Sequence, residues 1–78
     1  MDESSRAVRQ MLRGMAPSRS IPYIQSFQLP EDEELVLILF DCKKKSLQQI
    51  AMQTHMSVES VKRRRRAAIR KIYNATFL

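Results

Sequence analysis

The chain contains very little glycine, proline and cysteine, and each shortage excludes a class of protein. One glycine and three prolines among 78 residues exclude a collagen-like or low-complexity chain. A single cysteine cannot form an internal disulfide, and one cysteine with one histidine gives too few ligands for a structural zinc site. We therefore expect no metal and no cofactor, and we expect Cys42 and His55 to have ordinary structural roles.

Long apolar segments are missing as well. The longest uninterrupted one, residues 35–40, has six residues, whereas a helix that spans a bilayer needs about 20. The acidic residues near the N-terminus provide no apolar core for a signal peptide. We therefore expect a cytoplasmic protein without a membrane partner.

Length and composition predict a small all-α fold. With 78 residues the chain is shorter than the usual domain of about 100 to 200 residues, and 44% apolar residues suffice for one small core. Residues that favour helices greatly outnumber the β-branched residues that favour strands. We expect four to five helices.

Charge is distributed very unevenly along the chain. Residues 1–41 have four arginines and seven acidic residues, a net charge of −3, whereas residues 42–78 have ten basic residues and one acidic residue, a net charge of +9. A patch as positive as this attracts a phosphate backbone and releases its counterions. Double-stranded DNA is therefore the leading candidate partner, and a solvated basic helix face is the alternative interpretation.

The N-terminal segment predicts one amphipathic helix followed by a link. Val8, Met11, Leu12 and Met15 recur at the spacing of one helix face. This helix has three candidate roles: closing the core, forming a dimer or contacting a partner protein. Prolines and serines at residues 16–22 predict an irregular link.

The next helix is expected to occupy the centre of the fold. Leu29 and Pro30 precede four acidic residues at positions 31–34, and carboxylates are favourable at the positive end of a helix dipole. Residues 35–40 are apolar on almost every side of the helix, which predicts that it is buried. The acidic residues are also a candidate contact for a basic partner protein.

Two further helices follow at a short spacing. Ser46 and Gln49 have the pattern of a capping box, which predicts a helix of about two turns. After a connection at residues 54–56, Ser57 is expected to cap a last helix at about residues 58–72. Together these segments predict one core, with four methionines (Met11, Met15, Met52 and Met56) as additional filler. Its expected members are Val36, Leu37, Phe40, Leu47, Ile50, Ala51, Val61, Ala68, Ile69 and Ile72.

Two helices joined by a short turn, with the small Ala51 at their crossing, are typical of a helix-turn-helix unit, whose second helix enters the major groove of DNA. We accordingly divide the chain into an N-terminal amphipathic helix and linker at residues 1–28 and a helix-turn-helix DNA-binding domain at residues 29–78.

Residues 29–72 resemble region four of bacterial sigma factors, above all the extracytoplasmic-function type, and more loosely the LuxR-type DNA-binding domain. The resemblance implies that residues 57–66 read promoter DNA. Two positions depart from the family pattern: His55 lies where glycine is common and Arg65 lies where an apolar residue usually packs. The matching positions are Leu29-Pro30, Glu33, Val36-Leu37, Ser46, Ile50-Ala51, Met56-Ser57, Val61-Lys62, Arg64, Ala68 and Lys71-Ile72.

The candidate DNA-binding residues fall into two groups. Arg63 and Arg66 share a helix face with Lys62 and are expected near base edges, while Arg64 and Arg65 are expected on phosphates or over the core. Glu59 is expected to accept from a cytosine amino group or to stabilise the helix N-terminus. The complete set is Lys43, Lys44, Lys45, Ser46, Ser57, Glu59, Ser60, Lys62, Arg63, Arg64, Arg66 and Arg70.

These features predict a small sequence-specific transcriptional regulator from a bacterium or phage. The alternative is a region-four mimic that binds RNA polymerase or a sigma-binding partner. We do not expect an enzyme, because no nucleophile, histidine and acid occur in a catalytic pattern. Residues 1–28 are too few for the sigma region that melts promoters, so we do not expect a complete sigma factor. Apolar residues near both ends of the chain also predict a homodimer.

Overall fold

Five α-helices make up the fold in the computed structural model, which describes the backbone of residues 3–78 and the side chains from residue 5 onward. The all-α prediction is confirmed for this part of the chain. Within it, no helix combines the length and the apolar surface that crossing a membrane requires. The helices are α1 (Glu3–Arg13), α2 (Pro17–Gln25), α3 (Glu31–Leu37), α4 (Leu47–Thr54) and α5 (Val58–Phe77), and a π-helical turn at Ile38–Cys42 extends α3.

Helix α1 closes the core of the fold. Val8 and Leu12 are buried in the same cluster as Ala68 and Ile72 of α5. The sequence left three roles open for this helix, and burial of its apolar face supports closure of the core. The division of the chain after residue 28 stays a prediction.

A helix occupies the segment that the sequence predicts as an irregular link. Helix α2 begins at Pro17, where a residue without an N–H loses no helical hydrogen bond. Pro22 lies inside the helix and does remove one. Ile24 and Ser20 are buried on its inner side, and Ser20 Oγ lies 3.2 Å from Cys42 Sγ. The prediction for residues 16–22 is wrong because this burial outweighs the local preference of proline.

Helix α3 begins where the acidic residues predict it and lies at the centre. Val36 and Leu37 have no exposed surface, whereas Leu35 is 40% exposed. Six consecutive apolar residues cover every side of a helix, so one of them has to face solvent in a fold of this size. The expectation that the whole segment is buried is therefore wrong for Leu35.

The core consists of two clusters, both of which include residues of α3 and α5. One also contains residues of α1 and α2, and the other is completed by α4. The sequence predicts a single core and underestimates the share of the N-terminal half. The predicted members Val36, Leu37, Ile50, Val61, Ala68, Ile69 and Ile72 are buried, whereas Phe40, Leu47 and Ala51 are half-buried.

The methionines do not all fill the core. Met11, Met15 and Met56 are half-buried, but Met52 is 80% exposed. Helix α4 buries only the side that carries Ile50, and Met52 lies on the opposite side. The prediction that Met52 is core filler is therefore wrong.

Candidate nucleic-acid interface

The predicted capping box fixes the start of α4. Ser46 Oγ accepts a hydrogen bond from the Gln49 backbone N–H at 3.1 Å, and Gln49 Oε1 accepts from the Ser46 N–H at 2.9 Å. These two bonds satisfy N–H groups that have no partner inside the helix. Ser46, one of the candidate DNA-binding residues, therefore has its side chain committed to the cap.

The turn between α4 and α5 depends on a left-handed residue. His55 ends α4 with φ 60° and ψ 31°, a conformation that histidine adopts more readily than most residues. The Met56 N–H then donates to the Ala51 carbonyl at 3.1 Å and closes the turn. A short connection is present as predicted, but it covers residues 55–57 because Thr54 still belongs to α4. The departure from glycine at residue 55 leaves the turn intact.

The two serines of the predicted interface occupy the first turn of α5. Ser57 Oγ accepts from the Ser60 N–H at 3.1 Å and donates to Ser60 Oγ at 3.0 Å. The predicted N-cap of this helix is confirmed. A contact from either hydroxyl to DNA would have to form in addition to the cap, or replace part of it.

Burial on one side of α5 determines which residues face outward. Val61, Ala68 and Ile72 have no exposed surface, and successive residues advance about 100° around a helix. The residues that lie away from this buried side form what we call the reading surface, and all of them are exposed. They are Glu59, Lys62, Arg63, Arg66 and Arg70.

The reading surface carries a net positive charge. Glu59 and Lys62 form an exposed ion pair at 3.6 Å, which has little effect on stability. Among the described residues, Arg63, Arg66 and Arg70 have no ion pair within the protein. Three guanidinium groups on one side of a helix are thus available to an anionic ligand.

The other basic residues of α5 bind acidic side chains of the fold. Arg64 Nε lies 2.7 Å from Asp32 Oδ2, and Lys71 Nζ donates to both carboxylate oxygens of Glu33 at 2.9 and 3.1 Å. Glu33 is buried, which makes its pairing the more necessary. Arg64, a candidate for phosphate binding, is therefore partly occupied by Asp32.

Sequence reasoning missed these pairs. The acidic residues of α3 were assigned to the helix start, where they interact with the helix dipole. That interaction lies within α3 and predicts no partner in α5. The opposite charges of the two halves were the available signal, but pairing depends on how α3 and α5 cross. Arg65 was expected either on a phosphate or over the core, and the structure has it over the core. Its guanidinium binds Asp41, a partner that the sequence did not predict, and lies over the ring of Phe40.

A second basic group precedes α4. Lys43, Lys44 and Lys45, which we call the lysine segment, are all exposed and lie between the π-helical turn and the N-cap Ser46. Lys44 has φ 58°, in the left-handed region. The segment places three cations beside a helix N-terminus, a position that favours binding of a phosphate group.

Comparison with known proteins identifies the family. The family model of sigma-70, region 4, matches residues 27–74, which is more than half of the chain. The chain belongs to the sigma-70 region 4 family. No curated protein and no solved structure matches it significantly.

The region 4 match includes α3, the π-helical turn, α4 and most of α5. This family comprises helix-turn-helix domains that bind DNA and RNA polymerase. The predicted family, helix-turn-helix unit and general DNA-binding class are thereby confirmed, and the match favours region 4 over the LuxR-type domain. The extracytoplasmic-function subtype stays a prediction.

Proposed function

We propose that this region 4 domain is a small sequence-specific DNA-binding regulator of transcription whose helix α5 enters the major groove. One observation carries the proposal: α5 follows a closed helix-turn-helix turn and exposes Arg63, Arg66 and Arg70 on one side. A recognition helix needs exposed side chains of this kind to reach base edges.

The two basic groups have different roles in this proposal. Arg63 and Arg66, in the first turns of α5, contact base edges, where arginine recognises guanine through two hydrogen bonds. Arg70 lies further along the helix and contacts a phosphate, as do the cations of the lysine segment. Phosphate contacts fix the position of the protein on the duplex, and base contacts select the sequence.

Selection from a random pool of duplexes tests the proposal. We expect enrichment of one sequence, and fluorescence anisotropy should then give tighter binding to that duplex than to a scrambled one, with excess competitor DNA present. The measurement is made at two salt concentrations, since contacts to phosphates weaken as salt rises. No enrichment, or no binding at low salt, would contradict the proposal.

A second candidate function, binding to RNA polymerase as a region-four mimic, is favoured by the outer surface of α3. Leu35 is exposed between two grooves of about 400 and 340 Å³. Glu31 lines both grooves and Glu34 lines one of them. Lys43 also lines the smaller groove, but carboxylates outnumber it around Leu35. An apolar residue in such surroundings suits a partner that is itself apolar and basic.

The surface of α3 is tested separately from the reading surface. Leu35→Arg should weaken binding to immobilised core RNA polymerase and leave DNA affinity unchanged. Arg63→Ala should weaken DNA binding and leave polymerase binding unchanged. Polymerase binding by the wild type together with no DNA binding would favour this second function.

A homodimer stays part of the proposal. Leu12 is buried and Tyr73 is half-buried, so the dimer now depends mainly on Phe77 and Leu78, which are exposed. Light scattering at tens of micromolar, compared between the wild type and the double variant Phe77→Ser/Leu78→Ser, tests it. A monomer in both samples would remove the dimer.

A further inference from the structure

Arg65 forms the most enclosed ion pair between α5 and the rest of the described structure. Its Nε donates to Asp41 Oδ2 and its Nη2 donates to Oδ1, both at 3.0 Å. The side chains are 17% and 10% exposed, and the guanidinium carbon lies 4.6 Å from the centroid of the Phe40 ring. Two parallel hydrogen bonds and a cation–π contact fix the guanidinium in both distance and direction.

Asp41 belongs to the π-helical turn that holds the lysine segment. The Lys43 N–H donates to the Ile38 carbonyl at 3.0 Å, and the Lys45 N–H donates to the Leu39 carbonyl at 2.9 Å. Between these bonds Lys44 adopts a left-handed conformation, which is unfavourable for a residue with a Cβ atom. Lys44 keeps this conformation because the π-helical turn holds the backbone on both sides of it.

The Asp41–Arg65 pair therefore connects two basic elements that are separate in sequence. On α5, Arg65 lies between Arg63 and Arg66 of the reading surface but points to the opposite side. On the turn, Asp41 is two residues before the lysine segment. We infer that Arg65 is a positioning residue that holds the lysine segment and the reading surface at one fixed spacing, an inference that rests on the proposed function.

A fixed spacing matters because both elements have to meet one rigid duplex. When two contacts are held in register, forming the first places the second next to its own site, so little further conformational entropy is lost. They therefore bind more tightly than two contacts that move independently. The lysine contacts carry no sequence information, but they set the register in which α5 meets the bases. Weakening the Asp41–Arg65 pair should therefore reduce affinity for the preferred duplex more than affinity for random DNA.

Two variants disturb the pair and keep every positive charge of the candidate interface. Arg65→Lys retains a cation but loses the two parallel hydrogen bonds, and Asp41→Asn removes the carboxylate with almost no change in shape. Lys71→Met is the matched control, because it breaks a different ion pair of α5, the one between Lys71 and Glu33 of α3, six residues further along the helix. Circular dichroism melts show that each protein is folded at the temperature of the binding assay.

For Arg65→Lys and Asp41→Asn we expect the ratio of affinities for preferred and scrambled duplex to fall about tenfold. The slope of log K against log salt should become shallower by about one, because one lysine of the lysine segment loses its phosphate contact. Arg65→Lys leaves the net charge unchanged, so a change of total charge cannot explain this effect. Lys71→Met should leave the affinity ratio unchanged. A loss of stability alone, with the protein still folded, would move neither quantity.

Double-mutant cycles supply the sharpest readout. Lys44→Ala should weaken binding in the wild-type background and have much less effect when Arg65→Lys or Asp41→Asn is present, although residues 44 and 65 share no direct interaction in the described structure. An equal effect of Lys44→Ala in all backgrounds would overturn the inference while the proposed function stands. Absence of any DNA binding by the wild type would overturn both.

Discussion

Four consecutive arginines in α5 have different surroundings at the scale of single residues. Arg63 and Arg66 face solvent, Arg64 pairs with an acidic residue of α3, and Arg65 is enclosed against the π-helical turn. The helical twist distributes adjacent side chains over all sides of α5. A basic run in a sequence is therefore not one site, and position on the helix decides which arginine is available to DNA.

Arg63 should select sequence, whereas Lys44 should only add affinity. If Arg63 binds a guanine through two hydrogen bonds, Arg63→Ala should weaken the preferred complex about 5- to 150-fold and the complex with random DNA much less. Lys44→Ala should weaken both about equally and reduce the salt slope by roughly one. Anisotropy titrations with both duplexes measure these effects.

The effects of Arg63→Ala and Lys44→Ala on preferred and random DNA test whether the reading surface contacts bases. An equal loss on preferred and random DNA for Arg63→Ala would make Arg63 a phosphate contact, and the assignment of base recognition to this side of α5 would be wrong.

Ile50 and Met52 test the packing of α4 with two apolar residues of similar size. Ile50 has no exposed surface and Met52 is 80% exposed. Ile50→Ala should lower the free energy of unfolding by about 2 to 5 kcal/mol, and Met52→Ala should change it by less than about 0.5 kcal/mol. Urea denaturation followed by circular dichroism measures both. Similar losses in the two variants would contradict the side of α4 that faces the core.

At the scale of elements, the turn of the helix-turn-helix unit rests on one backbone conformation. His55 has a positive φ, and Met56 donates its N–H back to α4 only if the chain takes this path. The two caps, at Ser46 and Ser57, then define where α4 and α5 begin. Local hydrogen bonds thus set the ends of both helices.

Substitutions at residue 55 should follow the steric demand of this conformation. His55→Gly should keep or raise the melting temperature, because glycine adopts positive φ without strain although it gains more freedom when unfolded. His55→Val should lower it, since a β-branched side chain clashes in the left-handed region. Thermal denaturation at one protein concentration compares the three proteins. A valine variant as stable as the wild type would contradict the turn geometry.

At the scale of the whole molecule, folding changes how the charge is used. Arg64, Arg65 and Lys71 are paired with acidic residues of the N-terminal half, so part of the positive half is neutralised inside the protein. Within residues 42–78, the cations available to a ligand are concentrated in the lysine segment and on the reading surface. The unequal charges of the two halves of the chain therefore also form ion pairs between α5 and the N-terminal half.

Salt should weaken DNA binding steeply for this reason. If about five phosphates are contacted, the slope of log K against log salt should be near −4 to −5. Titrations at four or more salt concentrations give the slope. A flat dependence would contradict binding through the lysine segment and would favour the protein-interaction function.

The sequence by itself determined where α3, α4 and α5 begin and which side of α4 and α5 is buried. The capping box at Ser46 and the cap at Ser57 depend on hydrogen bonds between near neighbours, and the start of α3 depends on acidic residues next to its own N-terminus, so each was predictable from spacing. Burial of Ile50 and Val61 also followed, because apolar periodicity marks the inner side of a helix. The all-α class and the outward direction of Arg63 rest on the same local information.

Only the tertiary structure decided what depends on distant parts of the chain. Burial of Ile24 stabilises α2 in spite of its internal proline, and the packing of α5 against α3 and the π-helical turn gives Arg64 and Arg65 their acidic partners. Exposure of Leu35 and Met52 likewise depends on which sides of two apolar helices find a neighbour. Packing and ion pairing between elements are set by the spatial arrangement of whole helices, which no spacing within one helix contains.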